Sequence, residues 1–137
     1  MSDSDNGLVT IRCESPVRET VDHLTTVVET AGLTVFARVD HAAGAASVGM
    51  ELRPTELLIF GNPRAGTPLM QDQQTAGIDL PLKALVWQDA DGAVWLTCNA
   101  AEWVADRHGL GLQSQAAVAA LAKGQATLTE KAAAPAS

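Results

Sequence analysis

Hydrophobic and polar positions follow two different periods along the first part of the chain. Residues Leu8–Cys13 alternate and are rich in β-branched side chains, which predicts a strand. From 17 to 31 the apolar residues recur every three or four positions, which predicts an amphipathic helix lying on a core. Ser15 suits the N-cap of this helix, Pro16 its first position and Gly32 the residue after its end.

Two more strands are predicted before the middle of the chain. The stretch 33–40 alternates again, so its apolar residues are expected to share one face. These residues are Leu33, Val35, Ala37 and Val39. The segment 41–50 is rich in small residues and is consistent with a short, close-packed helix. Thr55–Gly61 is almost continuously apolar, which is typical of a strand covered on both faces.

The second half of the chain is predicted to hold a helix and a β-hairpin. The helix covers 67–77, because Thr67 suits its cap and Pro68 its first position. The hairpin turns at Asp91-Gly92, and each of its strands carries a tryptophan near the tip. These tryptophans are Trp87 and Trp95.

The order of predicted elements indicates the fold class. After the hairpin come a short helix ending at Gly109 and an alanine-rich helix that fades into a polar tail near Thr129. The full order, β-α-β-(α)-β-α-β-β-α-α, predicts an α+β fold with a curved, mostly antiparallel sheet and helices packed on one face. The length of 137 residues suits one domain over 1–137, with its C-terminal helix and tail at 112–137.

Composition narrows the classes of partner. Hydrophobic residues make up 47% of the chain, and the net charge of −7 gives no general attraction to nucleic acid or to an anionic membrane. No run of about 18 apolar residues is present, and the N-terminal MSDSDNG is unlike a secretory signal. Cys13 and Cys98 are too few and too far apart for a disulfide framework or a zinc knuckle. We therefore expect a cytoplasmic protein with reduced thiols and no cofactor, nucleic-acid partner or membrane partner.

The loop GNPRAGT, residues 61–67, lies between a predicted strand and a predicted helix and has four residues between its glycines. This is the setting of a P-loop, but the lysine that must follow the second glycine is replaced by Thr67. Pro63 also removes a backbone N–H that an anion nest would use. We therefore do not expect nucleotide hydrolysis at this loop.

Two other roles remain open for the same loop. Free N–H groups after Thr67, with Arg64 beside them, would hold a carboxylate or a phosphate. Alternatively, Gly61 and Gly66 supply unusual backbone angles, Asn62-Pro63 sets a turn, and Thr67 only caps the helix. Turn chemistry alone accounts for every residue of the loop.

Asp40 and His41 form a second candidate site at the end of a predicted strand. The imidazole of His41 would carry protons and Asp40 would hold its tautomer, although adjacent residues of an extended chain point to opposite faces. Alternatively, Asp40 caps the next helix and His41 is structural. His108 suits the last turn of a helix, and Asp79 a turn. The histidines lack ligand-like spacing, so no metal site is expected, and no set of nucleophile, base and orienting group is visible.

A longer ordered pattern runs through the middle of the chain: an Asp-His pair, Phe-Gly-Asn-Pro followed by Gly-Thr, Leu-Met, then Leu-Pro before a tryptophan-bearing hairpin. Here these are Asp40 and His41, Phe60 to Pro63, Gly66 and Thr67, Leu69 and Met70, and Leu80 and Pro81. The pattern resembles the bacterial and archaeal family called domain of unknown function 302, over residues 9–109. The resemblance implies a compact α+β fold similar to TBP-like sheets and a homodimer. It implies no established activity.

Three functional hypotheses follow. The favoured one is a small binding or sensing module for a small polar or anionic ligand, with His41 and the loop 61–67 lining one pocket. The second is an enzyme with His41 as general acid or base and Asn62 stabilising negative charge. The third is a structural module whose loop shapes a dimer surface. The resemblance makes five residues the first to test, namely Asp40, His41, Asn62, Pro63 and Thr67.

Overall fold

Five strands form the centre of the fold. The computed structural model describes residues 6–135. Most of the N-terminal segment MSDSDNG, on which the expectation of no secretory signal rests, lies outside this range. The strands are β1 Leu8–Cys13, β2 Thr34–Asp40, β3 Thr55–Gly61, β4 Leu82–Gln88 and β5 Val94–Asn99. They form one sheet in the order β1-β5-β4-β3-β2, and each neighbouring pair is antiparallel.

Helices and strands follow one another along the chain in the predicted order. The α-helices are α1 Val17–Thr30, α2 His41–Ser47, α3 Pro63–Asp72, α4 Ala101–His108 and α5 Gln115–Ala133. Two short 3-10 helices, Gln74–Asp79 and Leu112–Ser114, complete the secondary structure of residues 6–135. The prediction of an α+β fold with an antiparallel sheet and helices packed on it is confirmed.

The inner face of the sheet packs against α1 and α5 and forms the core. The large side chains of this core that are fully shielded from solvent are Val21, Leu24, Val28, Leu58, Phe60, Val86 and Leu96. Burial of each of these side chains stabilises the fold by about 2 kcal/mol. The amphipathic helix expected over 17–31 is present, but its N-cap is Pro16 rather than Ser15, and no side chain caps it.

The C-terminal helix contributes more to the core than its composition predicts. α5 continues to Ala133, and Leu128, Thr129 and Ala132 are buried, so the expected polar tail near Thr129 is wrong. The hydroxyl of Thr129 donates to the carbonyl of Gln125 at 2.9 Å, within its own helix. A threonine whose hydroxyl is satisfied in this way is no longer costly to bury.

A β-bulge in β2 changes which residues face the core. Val35 pairs with Phe60, but the next pair is Ala37 with Ile59, so Phe36 is the extra residue. The predicted common face is therefore wrong, because Val35 faces inward whereas Ala37 and Val39 lie on the opposite face.

The bulge brings Arg38 to the rim of the inner face. Its Nε donates to Glu56 Oε1 at 2.9 Å and its Nη1 to Asp22 Oδ1 at 2.7 Å. Burial alone would lower the pKa of Arg38, but hydrogen bonds to Asp22 and Glu56 outweigh it and raise the pKa. Glu56 itself is only 5% exposed, so this guanidinium stabilises a buried carboxylate.

The outer face of the sheet, opposite α1 and α5, carries half-buried apolar side chains. Because Leu57 and Ile59 lie there, β3 is shielded by helices on one face rather than on both as predicted. The half-buried apolar residues of this face include Leu57, Ile59, Leu85, Trp87 and Trp95, and Val39 on the same face is exposed. The predicted hairpin is confirmed, and its two tryptophans pair across the strands with ring centroids 6.5 Å apart. The indole N–H of Trp95 donates to Asp89 at 2.8 Å, which lowers the pKa of Asp89.

Candidate functional site

An apolar cavity of about 230 Å³, here called the α3 cavity, lies beside α3 and the adjoining ends of β2, β3 and β4. Its wall combines distant segments of the chain, from the residue before β2 to the middle of α5. The lining residues are Leu33, Phe36, Gly61, Asn62, Pro63, Ala65, Gly66, Thr67, Met70, Gly77, Leu80, Pro81, Leu82 and Leu121. None of these side chains is ionisable, so the cavity suits an uncharged ligand.

The start of α3 forms one side of this cavity. The helix begins at Pro63, and Asn62 is its N-cap, with Oδ1 accepting from the N–H of Arg64 at 2.9 Å. Thr67 therefore lies inside the helix, and its predicted role as the cap is wrong. Asparagine followed by proline is a complete N-cap and first position, and it precedes the competing Thr67-Pro68 pair.

The first amides of α3 are already bonded. The carbonyl of Asn62 accepts from the N–H of Ala65 at 2.9 Å and from that of Gly66 at 3.1 Å, and Pro63 has no N–H. The amides after Thr67 lie in the middle of α3, which runs from Pro63 to Asp72, and not at its start as expected. Arg64 is exposed and does not line the cavity. The premise of an anion site in the loop 61–67 is wrong.

The two glycines of the loop do not supply unusual backbone angles, and one of them, Gly61, packs closely against Pro81. Neither has a positive φ, contrary to the structural alternative above. A Cβ on Gly61 would lie 3.3 Å from Cβ of Pro81, and one on Gly66 would lie 3.5 Å from a methyl group of Leu80. The absence of a side chain at Gly61 therefore lets Pro81 approach closely, whereas a Cβ on Gly66 would make only an ordinary van der Waals contact.

His41 and Asn62 lie at opposite ends of the sheet. Because β2 and β3 are antiparallel, Asp40 pairs with Glu56, whereas Gly61 pairs with Thr34. The five residue-to-residue steps from Glu56 to Gly61 span about 17 Å of strand. The two residues do not share a pocket, so the expectation of one site between His41 and the loop 61–67 is wrong.

Asp40 is a capping residue, as the alternative interpretation predicted. Its Oδ1 accepts from the N–H of Ala43 at 2.9 Å at the start of α2, and its Oδ2 accepts from Arg18 at 3.3 Å. His41 is the exposed first residue of α2, and its imidazole forms no hydrogen bond with any other residue between 6 and 135. Asp40 therefore does not orient the imidazole of His41.

A different histidine has the partners that His41 lacks. Nε2 of His108, at the end of α4, lies 2.6 Å from Oδ2 of Asp79, and its Nδ1 lies 3.1 Å from Oγ1 of Thr75. Nη1 of Arg107 donates to both oxygens of Asp79 at 3.1 Å. The side chains of His108 and Asp79 are 7% and 10% exposed, whereas Thr75 is exposed. Residues 29 and 33 positions apart carry no motif, so the sequence could not reveal this cluster.

The two cysteines are buried thiols that lie apart. In the β1–β5 ladder Cys98 pairs with Val9, four residues from Cys13, which corresponds to about 13 Å. A disulfide needs Cα atoms within about 7 Å. Burial raises the pKa of Cys98 to about 12; it also raises that of Cys13 to about 11 despite the nearby Arg12.

Solved and curated proteins resemble this chain. A crystal structure of an uncharacterized conserved DUF302 protein from Bacillus stearothermophilus matches with a TM-score of 0.81 at 16% identity, covering 92% of this chain and 98% of that one. This likeness shows the fold. Proteins called fluoride-specific ion channel FluC 1, from Brucella suis biovar 1 (strain 1330) and Brucella abortus biovar 1 (strain 9-941), are each 50% identical over 129 residues, or 94% of this chain.

The match covers 51% of the first of these relatives and 48% of the second, so the chain spans about half of their length. Among the helices of residues 6–135, none has the length and apolar character needed to cross a membrane. Residues 9–128 match the family described as "Domain of unknown function DUF302", farther along the chain than the expected 9–109. The chain belongs to the DUF302 family.

Proposed function

We propose that the chain is a binding module for a small, largely apolar molecule that occupies the α3 cavity. The observation that carries this proposal is the lining, which is apolar and has no ionisable side chain. The polar or anionic ligand expected from the sequence fits less well, because the amides of Arg64, Ala65 and Gly66 are already bonded. Family membership assigns no activity, so the proposal rests on the cavity.

Two polar side chains in the lining would orient such a ligand. Asn62 uses its side-chain oxygen to cap α3, and its amide nitrogen forms no hydrogen bond within residues 6–135. The hydroxyl of Thr67 is likewise unbonded within that range and is exposed. A ligand with an apolar body and one carbonyl or hydroxyl group would match the apolar lining and would also bond these polar side chains.

A cavity-filling variant tests this proposal. In a thermal-shift screen of neutral aromatic amides and alcohols, we expect binders to stabilise the wild type, by about 2.7 kcal/mol at 100 times the dissociation constant. Ala65→Phe should abolish that response, because Ala65 lines the cavity. Gln71→Phe is the matched control, since it adds the same ring at an exposed position of α3 outside the lining. Binding that survives in Ala65→Phe, or a wild type with no binder among these compounds, would contradict the proposal.

The curated relatives, about half of whose length this chain spans, suggest a second candidate function, the recognition of fluoride alongside a channel. Its support is the 50% identity to proteins named for fluoride-specific transport. The cavity lining speaks against direct binding, since no cation faces it. Sodium fluoride, with sodium chloride as the reference salt, therefore belongs in the same screen. A fluoride-specific rise in melting temperature that persists in Ala65→Phe would favour this candidate over the first.

Self-association through the outer face is a further proposal. The resemblance to the family implies a homodimer, and Trp87 and Trp95 present half-buried rings on that face. We expect Trp87→Ala to lower the average mass across a dilution series in sedimentation velocity, because aromatic side chains contribute strongly to interfaces. A wild type that sediments as a monomer throughout would reject the homodimer. A cytoplasmic location stays a prediction.

An enzyme built on His41 is less well supported. No hydroxyl or carboxylate bonds its ring within residues 6–135, and Asn62 lies too far away to stabilise charge beside it.

A further inference from the structure

We infer that Thr75, His108 and Asp79 form a nucleophile, a general base and an orienting acid for acyl transfer from carboxylic esters. This activity is separate from binding in the α3 cavity. The chain order, hydroxyl first and histidine last, is no obstacle, because such sets are recognised by geometry rather than by sequence position.

The hydrogen bonds of His108 define its tautomer. An ionised Asp79 can only accept, so when the imidazole is neutral its proton lies on Nε2, which is 2.6 Å from Oδ2. Nδ1 is then the acceptor, and the hydroxyl of Thr75 donates to it at 3.1 Å. This is the arrangement in which an imidazole can take the proton of an attacking hydroxyl.

Acyl transfer needs a base and an orienting acid shielded from water and a nucleophile that the ester can reach, and the cluster has this arrangement. The imidazole and the carboxylate are almost fully buried, and the two contacts from Arg107 hold the carboxylate in place. Thr75 is exposed, so an ester can reach its oxygen. Arg107 touches only Asp79 in this set and is a positioning residue.

The reaction has two steps. Oγ1 of Thr75 forms a bond to the acyl carbon, and the bond from that carbon to the leaving oxygen breaks with its electron pair. The hydroxyl proton passes to Nδ1 of His108 and from there to the leaving group or to solvent. Water then attacks the acyl carbon and gives a proton to the same nitrogen. The bond from that carbon to Oγ1 breaks with its electron pair, and the nitrogen returns the proton to Oγ1, which frees Thr75 and the carboxylic acid.

The alternative role of the cluster is to fasten the 3-10 helix Gln74–Asp79 to α4. A purely structural role requires the same hydrogen bonds. A loss of stability in variants would therefore not distinguish a structural cluster from a catalytic one. Acylation of Thr75 does distinguish them, because a merely structural threonine is not activated.

The experiment uses p-nitrophenyl acetate. Its nitrophenolate leaves without help from the protein, so the rate of acylation depends mainly on the nucleophile and its base. We expect release of nitrophenol and an acetyl group on the peptide that contains Thr75, located by mass spectrometry after acid quenching. His108→Gln should lower the rate of acylation by about 100-fold. Thr75→Ser should keep the reaction, and Thr75→Val should remove it.

Two controls make the result decisive. Thr127→Val removes another exposed hydroxyl, on α5, and should change nothing. Circular dichroism melting shows whether His108→Gln is folded, and the exposed Thr75→Val tests the inference if it is not. Absence of acetyl-Thr75 in the wild type, an equal rate in folded His108→Gln, or unchanged turnover in Thr75→Val would each overturn the inference.

Discussion

Replacing Arg38 with methionine is expected to lower the free energy of unfolding by about 3 kcal/mol. The substitution keeps most of the side-chain volume but removes the cation that bonds Glu56 at 2.9 Å. Glu56 is then a buried carboxylate whose remaining cation, Arg18, is exposed and 3.9 Å away. Urea unfolding followed by circular dichroism measures the change.

Two comparisons separate the buried charge from other effects of this substitution. Asp22→Asn removes the exposed partner of Arg38 and should cost less than about 1 kcal/mol. The double variant Arg38→Met/Glu56→Met should recover most of the loss, because no unpaired charge remains. A double variant as unstable as Arg38→Met would show that the loss does not come from Glu56.

The thiol of Cys98 is expected to react with Ellman's reagent at pH 8 about 1000-fold more slowly in the folded protein than in the denatured chain. The reacting species is the thiolate. Burial raises the pKa of Cys98 from 9.0 to about 12, so the thiolate fraction at pH 8 falls by about three powers of ten. The sign is fixed by the charge, because a buried site disfavours the anion and so favours the thiol.

The measurement is best made in a Cys13→Ser background, so that one thiol is counted. Reaction in guanidinium chloride gives the reference rate for the same chain. Cys13, with a pKa of about 11, should be protected less strongly when it is examined alone in Cys98→Ser. A folded-state rate for Cys98 within tenfold of the denatured rate would show that the thiol is accessible or ionised.

Local patterns were sufficient for the order of elements and for the hairpin. The turn at Asp91-Gly92 and the pairing of Trp87 with Trp95 depend on residues close in the chain, and both are confirmed. The predicted start of α3 is wrong because two pairs of a capping residue and a proline, Asn62-Pro63 and Thr67-Pro68, lie five residues apart. The helix begins at the first pair. Local preference could not choose between them.

The candidate site was less predictable because it depends on contacts between distant residues. Asn62, Pro63, Gly66 and Thr67 do line a cavity, but its other walls come from segments between Leu33 and Leu121. Whether His41 lies near them depends on the antiparallel pairing of β2 with β3, which the alternation of residues within each strand does not specify. The partners of His108 likewise come from another part of the chain.

The bulge at Phe36 also has a consequence for how the sheet ends. β2 is an edge strand, and an exposed edge is a template on which a foreign strand can assemble. On either side of Phe36 the free N–H and C=O groups are out of step, so no regular strand can add along the whole of β2. Growth into larger aggregates is therefore blunted at this edge, whereas β1 pairs with β5 without interruption from Leu8 to Cys13 and has no such irregularity.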